Sequence, residues 1–182
     1  MNFGTVTSSL AILSLLSAGL GLLLLALLLV PAGRRRLALE TGGQTRTLLG
    51  SAFAVATVAS VGSLYYSEVV GFVPCLLCWY QRIAMYPLVP ILGIAALRGD
   101  RSVRWYGLPL AVVGLGIALY HVVIQFQPAL DAGMCSAAAP CSARYLSVFG
   151  FVSLPVMAAG GFTLIAALLW AVGLQVSSES SA

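Results

Sequence analysis

The sequence predicts an all-α integral membrane protein, and three observations carry that reading. Of 182 residues, 60% are apolar and 8% charged, against about 25% charged in a soluble domain. Apolar runs of the length a bilayer demands, about 20 residues, recur along the chain. They are Leu10–Val30, Leu48–Val70, Trp79–Leu97, Tyr106–Phe126 and Val148–Gly173. Hydrocarbon offers no partner to an unpaired backbone group, so each run is expected to be helical. Five spans leave no room for a separate soluble domain.

The first span has no positive segment before it, and three arginines follow it, so it reads as a retained helix rather than a cleaved signal. All nine basic residues are arginine. Arg34, Arg35, Arg36 and Arg46 lie between the first and second spans, and Arg98, Arg101 and Arg104 between the third and fourth. Short basic loops stay in the cytoplasm. An even number of spans separates the two loops, so both fall on that side. The N-terminus, Gly71–Cys78 and Gln127–Ser147 are then outside, and the C-terminus is inside. A net charge of +4 therefore reports topology rather than affinity for nucleic acid.

Pro87 and Pro90 are expected to kink the third span. Gly114, Gly116, Gly160 and Gly161 are expected at helix-packing faces. Tyr65, Tyr66, Trp79 and Tyr80 read mostly as interface anchors. The outer loop Gln127–Ser147 is small-residue rich and is expected to have no core of its own. Three regions result: 1–47, an extra N-terminal helix and arginine-rich loop; 48–173, the main membrane domain; and 174–182, a serine-rich tail expected to be disordered.

Cys75, Cys78, Cys135 and Cys141 all fall in the outer segments, where an oxidising environment lets disulfides persist. Cys-x-x-Cys suits a redox dithiol or half of a metal site. Five residues separate Cys135 from Cys141, a poor match to the tight ligand pairs of zinc sites. Two purely structural disulfides are the other alternative. For the redox reading, Pro74 suits a first helical position and places both cysteines in an opening turn, where positive potential favours a thiolate. Arg82 lies four residues after Cys78 and so shares its helix face. A charge pair about 6 Å apart at an effective dielectric of about 20 is worth roughly 3 kcal/mol, enough to favour the Cys78 thiolate. The competing reading of Arg82 is an interface arginine reaching toward water. Glu68 reads as an interface carboxylate or a partner of Arg82. His121, the only histidine, reads as an interface residue or a hydrogen-bond donor to a quinone carbonyl.

The stretch from Ser63 to Arg82, which contains Pro74-Cys75-Leu76-Leu77-Cys78-Trp79-Tyr80-Gln81-Arg82, resembles the disulfide bond formation protein B (DsbB) family, in particular its shorter bacillus-type, BdbC-like branch. The likeness extends through Ile83–Pro87, His121–Gln125, and Pro140-Cys141 to Gly150–Pro155. The resemblance implies a four-helix transmembrane bundle in a bacterial plasma membrane, here with one extra N-terminal helix. It implies an enzyme that reoxidises a DsbA-like thioredoxin-fold partner and passes the electrons to a membrane quinone, ubiquinone or menaquinone. Cys75 and Cys78 would be the quinone-proximal pair, with Cys78 in charge-transfer contact with the quinone, Arg82 supporting it and His121 nearby. Cys135 and Cys141 would meet the partner, Cys135 being attacked. No metal is implied. Gln81 stands where some members have an acid, and the second cysteine pair is unusually close-set. In the vitamin K epoxide reductase family the loop cysteines precede the Cys-x-x-Cys, the reverse of the order here. Because spans two to five carry every residue assigned to chemistry, loss of Met1–Val30 is expected to leave that chemistry in place.

Overall fold

A computed structural model describes residues 2–131, 133, 135–136 and 139–179. Six α-helices follow in chain order: α1 (Phe3–Leu29), α2 (Pro31–Glu40), α3 (Thr45–Leu64), α4 (Leu76–Arg98), α5 (Arg104–Phe126) and α6 (Leu154–Glu179). Five segments are long and apolar enough to cross a membrane: Phe3–Leu29, Thr45–Val69, Leu76–Arg98, Arg101–Phe126 and Leu154–Leu174. The all-α membrane architecture is therefore as the composition requires.

Helices α3 to α6 form a four-helix bundle. Each packs on its chain neighbour, and α6 closes the ring against α3. Its core is aliphatic, with Leu49, Leu88, Leu92, Ile165 and Leu169 wholly buried. Helix α1 packs along the outside of α6. This makes α6 the central helix, with 78% of its spanning window buried against 11% for α1.

Two small residues set the α1–α6 distance. A Cβ on Gly160 would meet the Ser14 carbonyl oxygen at 2.5 Å, and one on Gly21 would meet the Leu164 backbone at 2.9 Å. In a bilayer, such close backbone approach supplies the packing that hydrophobicity cannot. Gly114 likewise makes room for the buried Phe162 ring. Gly116, expected at a packing face, meets nothing, and Gly161 makes only ordinary contacts.

The arginine loops come together at one end. Arg101 Nε donates to Thr45 Oγ1 at 3.1 Å, and Arg104 donates to the Gly173 carbonyl at 2.9 Å. Arg34 donates to the Leu28 carbonyl and lies over Trp170. The segment holding Arg34, Arg35 and Arg36 is the short helix α2 rather than an irregular loop.

Two boundaries differ from expectation. The last span starts at Leu154, not Val148, because Val148 and Val152 pair across a reversal in which Phe149 and Gly150 both have positive φ. Helix α6 continues through Glu179, past the start of the expected tail at 174; residues 180–182 lie outside those described. Helix α4 runs unbroken through Pro87 and Pro90.

Candidate redox site

At the opposite end, α3 passes into a π-helical turn, Tyr65–Val69, and Gly71 at φ 82 reverses the chain toward α4. Helix α4 begins two residues later than Pro74 at its first position would require: Cys75 is the N-cap and Leu76 the first helical residue. The Cys75 sulfur accepts from the Cys78 backbone N–H at 3.4 Å, as a capping side chain does, and lies 2.9 Å from the Cys78 sulfur. Both are free thiols.

This capping reverses the expected assignment of the thiolate. Cys75, rather than Cys78, receives the helix's unpaired N–H groups. Its thiol is held well below the ordinary thiol range, chiefly because the Cys78 thiol donates to it, with His121 adding to the effect and burial opposing it. A lowered thiol pKa favours the folded dithiol form above the ordinary thiol range, and the gain is lost as pH falls through the lowered value. Titration of the reduced protein by ultraviolet thiolate absorbance is therefore expected to show one thiolate persisting into mild acid. It should survive in Cys78→Ser, whose hydroxyl can still donate, and vanish in Cys75→Ser. The opposite pattern would return the thiolate to Cys78.

His121 is 2% exposed and sits between the two cysteine pairs. Its Nε2 lies 3.0 Å from the Cys141 carbonyl oxygen and 3.7 Å from the Cys75 sulfur. A carbonyl only accepts, so Nε2 carries the proton. In the neutral ring Nδ1 then accepts from the Gln81 amide, 2.9 Å away. Gln81 thus fixes the tautomer. His121 lines the smaller of the two cavities described below and not the larger.

Arg82 is 9% exposed. Its guanidinium donates to the hydroxyl and the carbonyl oxygen of Ser63, both at 2.9 Å, and lies over Trp79. Glu68 is not its partner; that carboxylate accepts from Ser67. The buried fork is therefore fixed by α3 rather than extended toward water.

Cys135 and Cys141 form a disulfide. Cys141 is wholly buried and packs with Cys75, Leu77 and Ile124, while Cys135 is half-buried. The outer loop thus has its buried cysteine in a small core shared with Cys75 and Leu77 at the start of α4 and Ile124 of α5. The reacting atoms of Cys75, His121 and Cys141 lie within 4.8 Å of one another. With its sulfur committed to a disulfide, Cys141 cannot complete a four-thiolate zinc site.

The two thiols of α4 share one space, and Cys78 alone opens onto a second. Cys75, Cys78, His121 and Gln125 line a small cavity of about 10 Å³, closed by Ala143, Tyr145, Leu154 and Pro155. Cys78, but not Cys75, also lines a cavity of about 300 Å³ that extends into the bundle, with Arg82, Gln81 and Ser63 at the same end. That volume is at the lower end for small-molecule sites. Phe72 roofs it, stacked between Tyr66 and Tyr145. The buried Tyr86 hydroxyl on its wall has no hydrogen-bond partner, and the Tyr66 hydroxyl adjoins Thr7 without hydrogen-bond geometry. Ser63, Tyr66 and Tyr86 were not legible as site residues; only the register of Ser63 with Arg82 across two helices picks it out.

The family of disulfide bond formation protein DsbB matches residues 45–172. The chain belongs to the DsbB family. Disulfide bond formation protein C of Bacillus subtilis is 47% identical over 118 residues, covering 64% of this chain and 86% of that protein. A probable disulfide formation protein C 1 of Bacillus anthracis is 47% identical over 119 residues, 65% of this chain and 86% of its own. A probable disulfide formation protein of Chlamydia trachomatis is 45% identical over 118 residues, 65% and 86% respectively. No solved structure matches. As a DsbB-family protein with five spanning helices, the chain is a multi-pass membrane thiol-disulfide oxidoreductase.

Proposed function

We infer that this protein reoxidises a DsbA-like thioredoxin-fold partner outside the cytoplasm and delivers the electrons to a membrane quinone. The observation that carries this reading is the division of labour between the α4 thiols. Cys75 faces the buried end of the outer disulfide, and Cys78 faces an apolar cavity with a fixed guanidinium at its mouth.

The sequence of exchanges follows from exposure. A partner thiolate attacks Cys135, the more accessible sulfur, and Cys141 leaves as thiolate; the partner's second thiol then releases the oxidised partner. The Cys141 thiolate attacks Cys75 of the Cys75–Cys78 disulfide, and Cys78 leaves. Cys135 attacks Cys141 in the mixed disulfide, which restores the outer disulfide and frees Cys75. Reoxidation of the Cys75–Cys78 dithiol releases two electrons and two protons. A quinone, when bound, supplies the acceptor for both.

The cavity fits such a molecule. Arg82, Gln81 and the Tyr66 and Tyr86 hydroxyls offer donors to ring oxygens, and the remaining wall is mostly apolar, with a few serines among its aliphatic side chains. His121 keeps a proton at Nε2 toward Cys75 and Cys141, where departing and attacking thiolates need one. A zinc-held scaffold or purely structural disulfides would leave the Cys78-facing cavity without a purpose.

The test is reconstitution. Purified protein in lipid, supplied anaerobically with an excess of a reduced thioredoxin-fold protein, should oxidise it beyond the equivalents its own disulfides hold only when quinone is present; repeated turnover without quinone, or none with it, would refute the reading. Arg82→Gln should raise the quinone KM about tenfold, the equivalent of one charge-assisted hydrogen bond of about 1.5 kcal/mol. Arg82→Lys should recover part of that, since it keeps the charge without the planar fork. On sidedness, cysteines introduced at Arg35 and Arg101 in a cysteine-free background should resist an impermeant thiol reagent in intact cells, and one at Leu130 should react. The reverse labelling would invert the topology.

A further inference from the structure

Helix α1 lies outside the segment matched by the family, residues 45–172, yet it completes the larger cavity. Leu10, Leu13, Ser14 and Ser17 line it. Their spacing places them on one face of the helix. Ser14 turns its hydroxyl back to the Ala11 carbonyl at 2.8 Å, which leaves the cavity wall without a free donor there. The helix is seated on α6 through Gly160 and Gly21, touches α3 where Leu10 meets Gly62, and sets Phe3 against Phe72 of the roof at 6.4 Å. It therefore spans the groove between α3 and α6 that the four-helix bundle alone would leave open to lipid. Met1–Val30, whose loss the sequence alone led us to expect would leave the chemistry in place, thus supplies part of the wall of this cavity.

We propose that α1 is the tail-binding wall of the quinone site: the Leu10, Leu13, Ser14 and Ser17 face holds the isoprenoid tail of a quinone whose ring lies at the Cys78 and Arg82 end. This rests on the quinone reading above. The occupant follows from the shape of the lining. Arg82, Gln81 and Ser63 gather at the Cys78 end, and the rest is mostly aliphatic, with Ser14 and Ser17 of α1 as small polar members and the Ser14 hydroxyl already bonded to Ala11, which suits an amphiphile with a small polar ring and an apolar chain. At about 300 Å³ the cavity is too small for a long polyprenyl chain entire, so the chain must leave toward lipid. Leu13, 50% exposed, marks that exit.

The experiment measures binding rather than turnover. Full-length protein in lipid nanodiscs is titrated with a decyl-tailed quinone and with the same ring lacking a tail, by quenching of tryptophan fluorescence; Trp79 stacks on Arg82. Ser17→Phe and Ser14→Phe should weaken tailed-quinone binding by at least about tenfold, as expected when a chain loses its apolar contact surface. Binding of the tail-less ring should stay unchanged. Leu13→Ala, which removes wall surface without adding bulk, should weaken tailed-quinone binding in the same direction. Leu16→Phe, on the lipid side and 64% exposed, should change neither. Wild-type affinity for the tailed quinone in all three wall variants would overturn the proposal, as would equal loss for both ligands, which would make α1 a scaffold for the ring. If wild-type protein itself binds neither ligand, the quinone reading falls, a failure distinct from one confined to the variants.

Discussion

Cys78→Ser is expected to lower steady-state quinone reduction roughly 10³-fold or more, because no bound group replaces a reacting sulfur. The fold should survive. Serine is smaller, can donate to Cys75, and leaves the N-cap untouched. The outer disulfide should still be reducible once by the partner, because Cys135 and Cys141 do not require Cys78 for that step. A stopped-flow trace should thus show a single partner oxidation followed by arrest. Continued turnover at a tenth of the wild-type rate would mean that Cys75 or another group contacts the acceptor directly, against the separation of the two cavities.

Cys141→Ala should convert a transient complex into a stable one. Cys135 is the half-exposed member of its pair and Cys141 the buried one. Without Cys141, the Cys135 thiol attacks an oxidised thioredoxin-fold protein and forms a mixed disulfide that nothing in the chain resolves. Non-reducing electrophoresis should show most of the protein in that complex, and none in Cys135→Ala. Trapping through Cys141 instead would require the outer loop to turn its buried face outward, and would invert the order of exchange.

The spans, the clustering of all four cysteines at one end and the proximity of Arg82 to Cys78 were legible because each depends on short-range spacing and bulk hydropathy. What escaped depends on tertiary contact. The favoured thiolate is Cys75 rather than Cys78 because the start of α4, two residues later than expected, makes the Cys75 sulfur the cap of the helix. The partner of Arg82 is Ser63, 19 positions earlier, and no local rule connects them. His121 was legible as a site residue, but its contacts with the Cys141 carbonyl, Cys75 and Gln81 join three separate segments and no local spacing gives them. The stripe on α1 is indistinguishable in sequence from a lipid-facing surface, since lipid tails and quinone tails ask for the same side chains. Val148–Val152 read as membrane span because its apolar residues hide a reversal that only backbone angles reveal.

The central claim is that the Cys75–Cys78 dithiol alone passes electrons to a quinone. The most direct measurement uses a variant with Cys135→Ala and Cys141→Ala, reduced and freed of reductant, mixed anaerobically with one equivalent of quinone. Quinone absorbance and free thiols are followed together. The account predicts loss of both thiols for each quinone reduced, with a Cys75–Cys78 disulfide in the product. Thiols that persist in the presence of quinone, or that are lost only when the outer pair is restored, would contradict it.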